Sequence, residues 1–161
     1  MNIFRLQLMA DLLKEMTVEI PVHEFVNTIT PWGEKPQEVT SLIEAFSLDD
    51  WTDVGGARPS CGYSACAVGH AMLDVRFNAL GLYHMDGVPG YNGTTNWEAV
   101  RTFFDISEET AELLFAPSTY DTAYDEVEGI EDVSTATPAD VLERVMYLLK
   151  HGETDLETKY S

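Results

Sequence analysis

The strongest folding signal in the sequence lies near its C-terminal end, between Thr137 and Gly152. Threonine is a favourable N-cap, Pro138 suits the first helical position, and Gly152 is a typical stop signal. Between these signals, the apolar residues recur at helical spacing: Val141, Leu142, Val145, Leu148 and Leu149. The segment therefore predicts an amphipathic helix with one apolar face.

Other segments repeat this helical pattern along the chain. Apolar spacing and capping residues predict further helices over residues 3–16, Pro36 to Phe46, Ser64 to about Leu80 and Trp97 to Phe104, and one that is capped by Ser107. We expect a short extended piece around Val18–Val22, and an irregular Gly-rich loop or small hairpin over residues 81–96. The predicted fold class is mainly α: a single compact domain over residues 1–161 with about five to six helices.

The charge balance is the most unusual property of the composition. The 161 residues include 28 Asp and Glu but only 9 Lys and Arg, which gives a net charge of −19. Repulsion by phosphate groups therefore argues against direct binding to nucleic acid or to an anionic membrane. The acidity is concentrated in one block, because 12 acidic residues and no Lys or Arg lie between Thr102 and Glu143. This block is a candidate surface for binding a basic protein.

The preferred functional hypothesis is a non-enzymatic acidic protein that binds a basic partner. In its sharpest form, the chain is a phage-type nucleic-acid mimic that inhibits a basic, nucleic-acid-binding host or defence protein. Exposed tyrosines beside steering carboxylates would supply hot-spot contacts. The predicted partner-binding residues, on a recognition face at 105–132, are Asp105, Glu108, Glu109, Glu112, Tyr120, Asp121, Tyr124, Asp125, Glu126, Glu128, Glu131 and Asp132. The alternative is an accessory protein whose acidity serves only solubility or adaptation to salt.

An enzymatic alternative centres on the segment CGYSACAVGHA at residues 61–71. Cys66 and His70 share one face of the predicted helix, so with Cys61 and His84 they are candidate zinc ligands. Cys61, just before this helix, is also a candidate nucleophile that one of the 4 histidines would assist. No nucleotide-binding or hydrolase signature accompanies them. This alternative is a thiol or zinc-dependent enzyme; the preferred hypothesis needs no cofactor and no metal.

Tight packing is the favoured interpretation of the same segment. Free cysteine is often buried, and His70 would be a core histidine that is hydrogen-bonded to a neighbouring loop. Small residues would let another backbone approach the helix closely; they are Ala65, Ala67, Gly69 and Ala71. On this interpretation the segment is structural and has no catalytic role.

The segment also resembles a motif of small uncharacterised bacterial and phage proteins, Cys-Gly-Thr-x-x-Cys-x-x-Gly-(His or Trp). Further similar stretches are Asp50-Trp51, Phe103-Phe104-Asp105-Ile106-Ser107 and Leu113-Leu114-Phe115-Ala116-Pro117, and together they cover about half of the chain. This chain departs from the motif at Tyr63, where threonine is usual. The alternation of histidine with tryptophan at the position of His70 implies that no obligatory metal ligand stands there. The resemblance implies no activity, cofactor or catalytic residue.

The predicted compartment is the cytoplasm. The first residues, Met1 to Asp11, lack the apolar core of a secretory signal. The apolar runs of the chain are far shorter than the roughly 18 residues that a membrane span requires. Two cysteines are too few for a disulfide framework, which agrees with a reducing environment.

Overall fold

The computed structural model describes residues 1–30, 32–49, 51, 63–125 and 130–161. Within these ranges the helices are α1 (Ile3–Val18), α2 (Ala67–Met72), α3 (Val75–Asn78), α4 (Asn96–Phe104), α5 (Glu108–Phe115), α6 (Pro138–His151) and α7 (Glu153–Tyr160). The strands are β1 (His23–Ile29), β2 (Gln37–Phe46), β3 (Tyr63–Ala65), β4 (Tyr83–Met85), β5 (Val88–Tyr91), β6 (Thr94–Thr95), β7 (Thr122–Asp125) and β8 (Ile130–Ser134). The fold is mixed α/β and dominated by helices, so the prediction of a mainly α fold is only partly confirmed.

The apolar faces of α1 and α6 form much of the core, as their sequence patterns predict. Leu6, Met9 and Leu13 of α1 are fully buried, as are Val145 and Leu148 of α6. A group of phenylalanines continues this core towards α4 and α5: Phe77, Phe103, Phe104 and Phe115. The rings of Phe103 and Phe104 meet edge to face with their centroids 5.0 Å apart, which is a favourable aromatic geometry. Within the described ranges, no helix has both the length and the apolar character to cross a membrane.

The predicted ends of α6 are confirmed in detail. Thr137 is the N-cap, and its hydroxyl accepts a hydrogen bond from the backbone N–H of Asp140. The Asp140 carboxylate accepts in return from the Thr137 N–H at 2.7 Å, which completes a capping box. Gly152 ends the helix with φ +87°, a backbone conformation that other residues rarely adopt.

The predicted helix from Pro36 to Phe46 is wrong, because this segment is β2. It pairs antiparallel with β1, in a register that runs from His23 opposite Ile43 to Ile29 opposite Gln37. β3 then joins β2 in parallel to complete a three-stranded sheet. The extended piece expected around Val18–Val22 is displaced, since α1 continues to Val18 and β1 begins at His23. The pairing between strands outweighs a local apolar spacing that also suits a helix.

The predicted helix from Ser64 to Leu80 is divided into β3, α2 and α3. The break falls at Asp74, whose carboxylate caps α3 by accepting from the Arg76 N–H at 2.8 Å. Residues 81–96 contain a small antiparallel sheet with the order β4-β5-β6, which agrees with the hairpin alternative. A second hairpin, β7-β8, follows α5 and a 3-10 turn at Pro117–Thr119.

Candidate functional site

The cysteine–histidine segment is packed into the core at α2. Cys66 is 1% exposed and is the N-cap of α2, where its sulfur accepts from the Gly69 N–H at 3.3 Å. A Cβ on Gly69 would lie 1.8 Å from the backbone oxygen of Trp51, so only glycine fits at this approach. The close backbone approach expected of the small residues therefore exists, and Trp51 provides it.

His70 is fully buried between α2 and the sheet. Its Nε2 lies 2.8 Å from the Ala45 carbonyl oxygen on β2, and its ring stacks on Phe46. Burial lowers the pKa of His70 to about 4, against the opposing effect of the hydrogen bond to Ala45. The ring of His23 is 5.6 Å away, a neighbour that no sequence motif indicates. The surroundings of His70 agree with the packing interpretation. The carbonyl that it contacts belongs to the strand β2, whereas a loop was expected.

The predicted zinc ligands are not brought together by the described part of the chain. No group of three His, Cys, Asp or Glu side chains in that part is arranged to hold a metal ion. His84 lies on β4, whereas Cys66 and His70 belong to α2. Cys61, the candidate nucleophile, lies outside the described residues.

The predicted acidic residues of α4 and α5 are exposed. Glu108, Glu109 and Glu112 project from α5, and the first two lie in its first turn, where the helix dipole favours negative charge. Asp105 follows α4 with φ +52°, and its carboxylate pairs with the N-terminal ammonium of Met1 at 2.8 Å. That hydrogen bond and charge hold the pKa of the Asp105 carboxyl below its usual value.

Two glutamates of α7, which no sequence pattern indicated, contact the start of α5. The Glu153 carboxylate accepts from the Ser107 N–H at 3.0 Å, and the Glu157 carboxylate accepts from the Ser107 hydroxyl at 2.9 Å. Both carboxylates also lie within 3.1 Å of the Thr110 hydroxyl. We name Glu108, Glu109, Glu112, Glu153 and Glu157 the acidic face. No local signal could have indicated this, because the contacts join residues 43 to 50 positions apart.

Tyr120 is half-buried, whereas the hot-spot hypothesis expects an exposed tyrosine. Its hydroxyl donates to the Leu114 carbonyl at 2.6 Å, and the Arg144 guanidinium lies 3.6 Å above its ring. Burial raises the pKa of Tyr120 well above its usual value. Tyr120 therefore joins the end of α5 to α6, and its role as a contact residue for a partner stays a prediction.

The described residues among the remaining predicted contacts lie on or beside the β7-β8 hairpin. Asp121 is exposed just before β7. Tyr124 and Asp125 belong to β7, and Glu131 and Asp132 belong to β8, but the structure describes only their backbone. Glu126 and Glu128 lie outside the described residues.

Comparison with known proteins identifies no relative. No family model, no curated protein and no solved structure matches this chain. The similarity to small bacterial and phage proteins therefore stays a prediction, and the grounds for a functional proposal are the chain's own geometry and charge.

Proposed function

We propose that this protein is a non-enzymatic acidic binding protein whose partner is a basic protein. The observation that carries the proposal is the acidic face: α5 exposes Glu108, Glu109 and Glu112, and Glu153 and Glu157 of α7 contact Ser107 and Thr110 at the start of the same helix. Within the described part of the chain, none of these carboxylates forms an ion pair. A partner that presents Lys or Arg would relieve their mutual repulsion.

The surroundings of the acidic face also favour a basic partner. The sequence from Thr102 to Glu143 contains no Lys or Arg. The next basic residue, Arg144, is 9% exposed and lies between the rings of Tyr120 and Tyr160. The negative charge of residues 102–143 is therefore not compensated within that segment, and although α7 adds the exposed Lys159, the remaining negative potential would accelerate the association with a positively charged protein.

The more specific form of the proposal is mimicry of nucleic acid. A net charge of −19 equals the charge on roughly 32 Å of duplex DNA, at one charge per roughly 1.7 Å of axis. A domain of this length is about 40 Å wide, so its charge per unit length is of duplex order. The inhibitor would occupy the DNA-binding surface of a host or defence protein in the cytoplasm, which agrees with the predicted resemblance of its cysteine motif to that of phage proteins.

Two charge-matched variants test the proposal. The first carries Glu108→Gln, Glu109→Gln and Glu112→Gln on the acidic face. The control carries Glu24→Gln, Glu38→Gln and Glu44→Gln, three exposed positions on β1 and β2. Each variant removes three negative charges, so the two differ only in where the charge is lost. Both, with the wild type, are immobilised and exposed to host extract at low and at high ionic strength.

Basic nucleic-acid-binding proteins should be retained by the wild type and by the control, and lost from the acidic-face variant. Added duplex DNA should displace them, and raising the salt should release them, since the contacts are electrostatic. Equal loss from both variants would indicate that only the overall acidity matters, as in an accessory protein. If the amount of retained protein did not decrease at high ionic strength, the proposal would be contradicted.

A further inference from the structure

The β1-β2 hairpin is attached to α2 through a small apolar junction of its own. Among the described residues, Ile43 of β2 and Ala65 of β3 are fully buried there and form a cluster with the half-buried Leu73, separate from the main core. β3 has only three residues, leads directly into α2, and pairs with β2 in a register that is irregular between Ile43 and Ala45. Little apolar area therefore holds the hairpin against β3 and α2.

The chain enters and leaves the hairpin at residues that belong to the main core. Ile20 packs against this core before β1, and Leu48, 3% exposed, is buried in it after β2. On the hairpin itself, Val26 and Leu42 are exposed, and Phe46 at the end of β2 is half-buried against the core. Release of the hairpin between its two ends would therefore free Phe46 but leave the fully buried residues of the main core in place.

His70 of α2 makes a polar contact across this junction. Its ring is fully buried, and its Nε2–H donates to the Ala45 carbonyl of β2 at 2.8 Å. A neutral imidazole carries a single N–H, so this bond leaves Nδ1 without a proton. In the described structure, Nδ1 is buried and has no hydrogen-bond partner. A proton added there would create a buried, charged donor without an acceptor, and water could reach it only if the junction opened.

His23 of β1 lies beside His70 at the same junction. The two ring centroids are 5.6 Å apart, and His23 Nε2 is a second buried nitrogen without a partner in the described part of the chain. Burial lowers the pKa of both histidines, that of His70 to about 4. Two protonated rings at this distance would also repel each other. Protonation therefore favours a state in which the hairpin and α2 are separated and water solvates the rings.

The charged groups around the two rings oppose this effect only in part. Asp74 raises the pKa of His23, but burial outweighs it. The Asp74 carboxylate is bound by Arg76 at 2.9 Å, and Arg76 also binds Glu15 of α1. The other described titratable residues beside the rings in sequence, or on α2 and on β4, which contacts α2, are the buried Cys66, the half-buried His84 and the exposed Glu24, Glu44, Tyr83 and Asp86.

We propose that this junction is an acid-sensitive switch, in which proton uptake by His70 releases β1 and β2 from α2 while the helical core stays folded. The switch goes beyond the proposed function and does not depend on it. Above pH 6.5 the closed form is favoured. As the pH falls from 6.5 to 4, the open form takes up a proton that the closed form does not, because only in the open form does His70 regain its usual pKa. The ratio of open to closed protein therefore rises about tenfold per pH unit in this range.

Amide hydrogen exchange of the full chain at pH 7 and pH 5 tests the switch, since carboxyl groups with ordinary pKa values stay charged in this range. Rates are corrected for the intrinsic effect of pH on exchange. The amides of β1 and β2 should be at least about tenfold less protected than those of α1 and α6, because the hairpin opens without the core. Their protection should fall about twentyfold from pH 7 to pH 5. Ring nitrogen NMR shifts should show that His70 in the closed protein is still neutral at pH 5.

Two histidine variants assign the effect. His70→Gln can still donate to the Ala45 carbonyl but does not titrate, so the fall in hairpin protection should shrink to less than about fivefold. His151→Gln, at an exposed position, should keep the wild-type fall. Equal protection of hairpin and helix amides, hairpin protection that is unchanged at pH 5, or a wild-type fall in His70→Gln would overturn the proposal. A charged His70 ring in the closed protein at pH 5 would overturn it without any variant.

Discussion

Gly69 of α2 lies directly against the backbone of Trp51. A Cβ at position 69 would stand 1.8 Å from the Trp51 carbonyl oxygen and 2.9 Å from its carbonyl carbon. Because the obstructing atoms are backbone, no side-chain rotation relieves the clash. The ring of Trp51 packs in turn on Trp97, with centroids 4.8 Å apart, so this contact connects α2 to α4 through Trp51.

Replacing Gly69 by alanine should therefore destabilise the protein by about 3 kcal/mol. Urea unfolding measures the loss. Gly93→Ala is the comparison, since a Cβ there meets nothing within 4 Å but φ is +82°. It should cost about 1–2 kcal/mol through backbone strain alone. Equal losses in the two variants would mean that Trp51 moves away at little cost.

The stability of the fold should fall as the pH decreases from 6.5 to 4 because of His70. Burial lowers the pKa of His70 from 6.5 to about 4, so over this range the unfolded chain binds a proton that the folded chain does not. The part of the unfolding free energy that depends on the protonation of His70 is about 3 kcal/mol. It is present above pH 6.5 and is lost progressively below it.

Unfolding of His70→Gln across this pH range isolates the effect. Glutamine can still donate to the Ala45 carbonyl but does not titrate, so the variant should show a flatter dependence of unfolding free energy on pH. His151→Gln, at an exposed position at the end of α6, should follow the wild type. If the unfolding free energy of His70→Gln changed with pH as steeply as that of the wild type, the pH dependence would come from other groups.

Asp74 should contribute to stability both as a cap and as an ion-pair partner. Its carboxylate caps α3 and accepts from Arg76 Nε at 3.0 Å, while Arg76 also binds Glu15 of α1 at 2.8 Å. Burial opposes the charge on Asp74, but the hydrogen bonds from Arg76 outweigh it and hold the pKa of Asp74 below its usual value.

Asp74→Ala should cost about 1–2 kcal/mol, and Asp74→Asn less, because asparagine can still cap the helix. Thermal unfolding at low and at high salt separates the two contributions. The loss in Asp74→Asn relative to the wild type should shrink as salt rises, because the ion pair with half-exposed Arg76 is screened, whereas the difference between the two variants reflects the cap and should stay the same. Equal melting temperatures of the two variants would show that the cap does not contribute to stability.

Arg144 should be more important to stability than any exposed arginine. Its guanidinium donates to the Leu113 carbonyl in the last turn of α5 and to the Thr119 carbonyl in the 3-10 turn. Arg144→Leu removes the described donor to the Thr119 carbonyl, leaves the Leu113 carbonyl with the Thr119 hydroxyl at 3.3 Å, and should cost about 3 kcal/mol. Arg101→Leu, at a side chain that is 45% exposed, should change the free energy of unfolding by less than about 0.5 kcal/mol. Similar losses in the two variants would contradict this assignment.

Signals within a few residues were sufficient to predict α1, α4, α5 and α6. Ser107 caps α5 by accepting from the Thr110 N–H at 3.0 Å, a contact that spans only three residues. The turns of the small β4-β5-β6 sheet also carry local sequence signals. Asp86-Gly87 and Asn92-Gly93 both have positive φ, and such dipeptides are typical of two-residue hairpin turns.

The sequence by itself determined the helix caps, the apolar stripes and the strong acidity, because each depends on residue types at short spacing. Only the tertiary structure decided that the segment from Gln37 is a strand, since its partner β1 lies elsewhere in the chain. It also placed Glu153 and Glu157 beside α5 and covered Tyr120 with Arg144. A carboxylate or a tyrosine is compatible with several surroundings, and long-range packing selects the one it occupies.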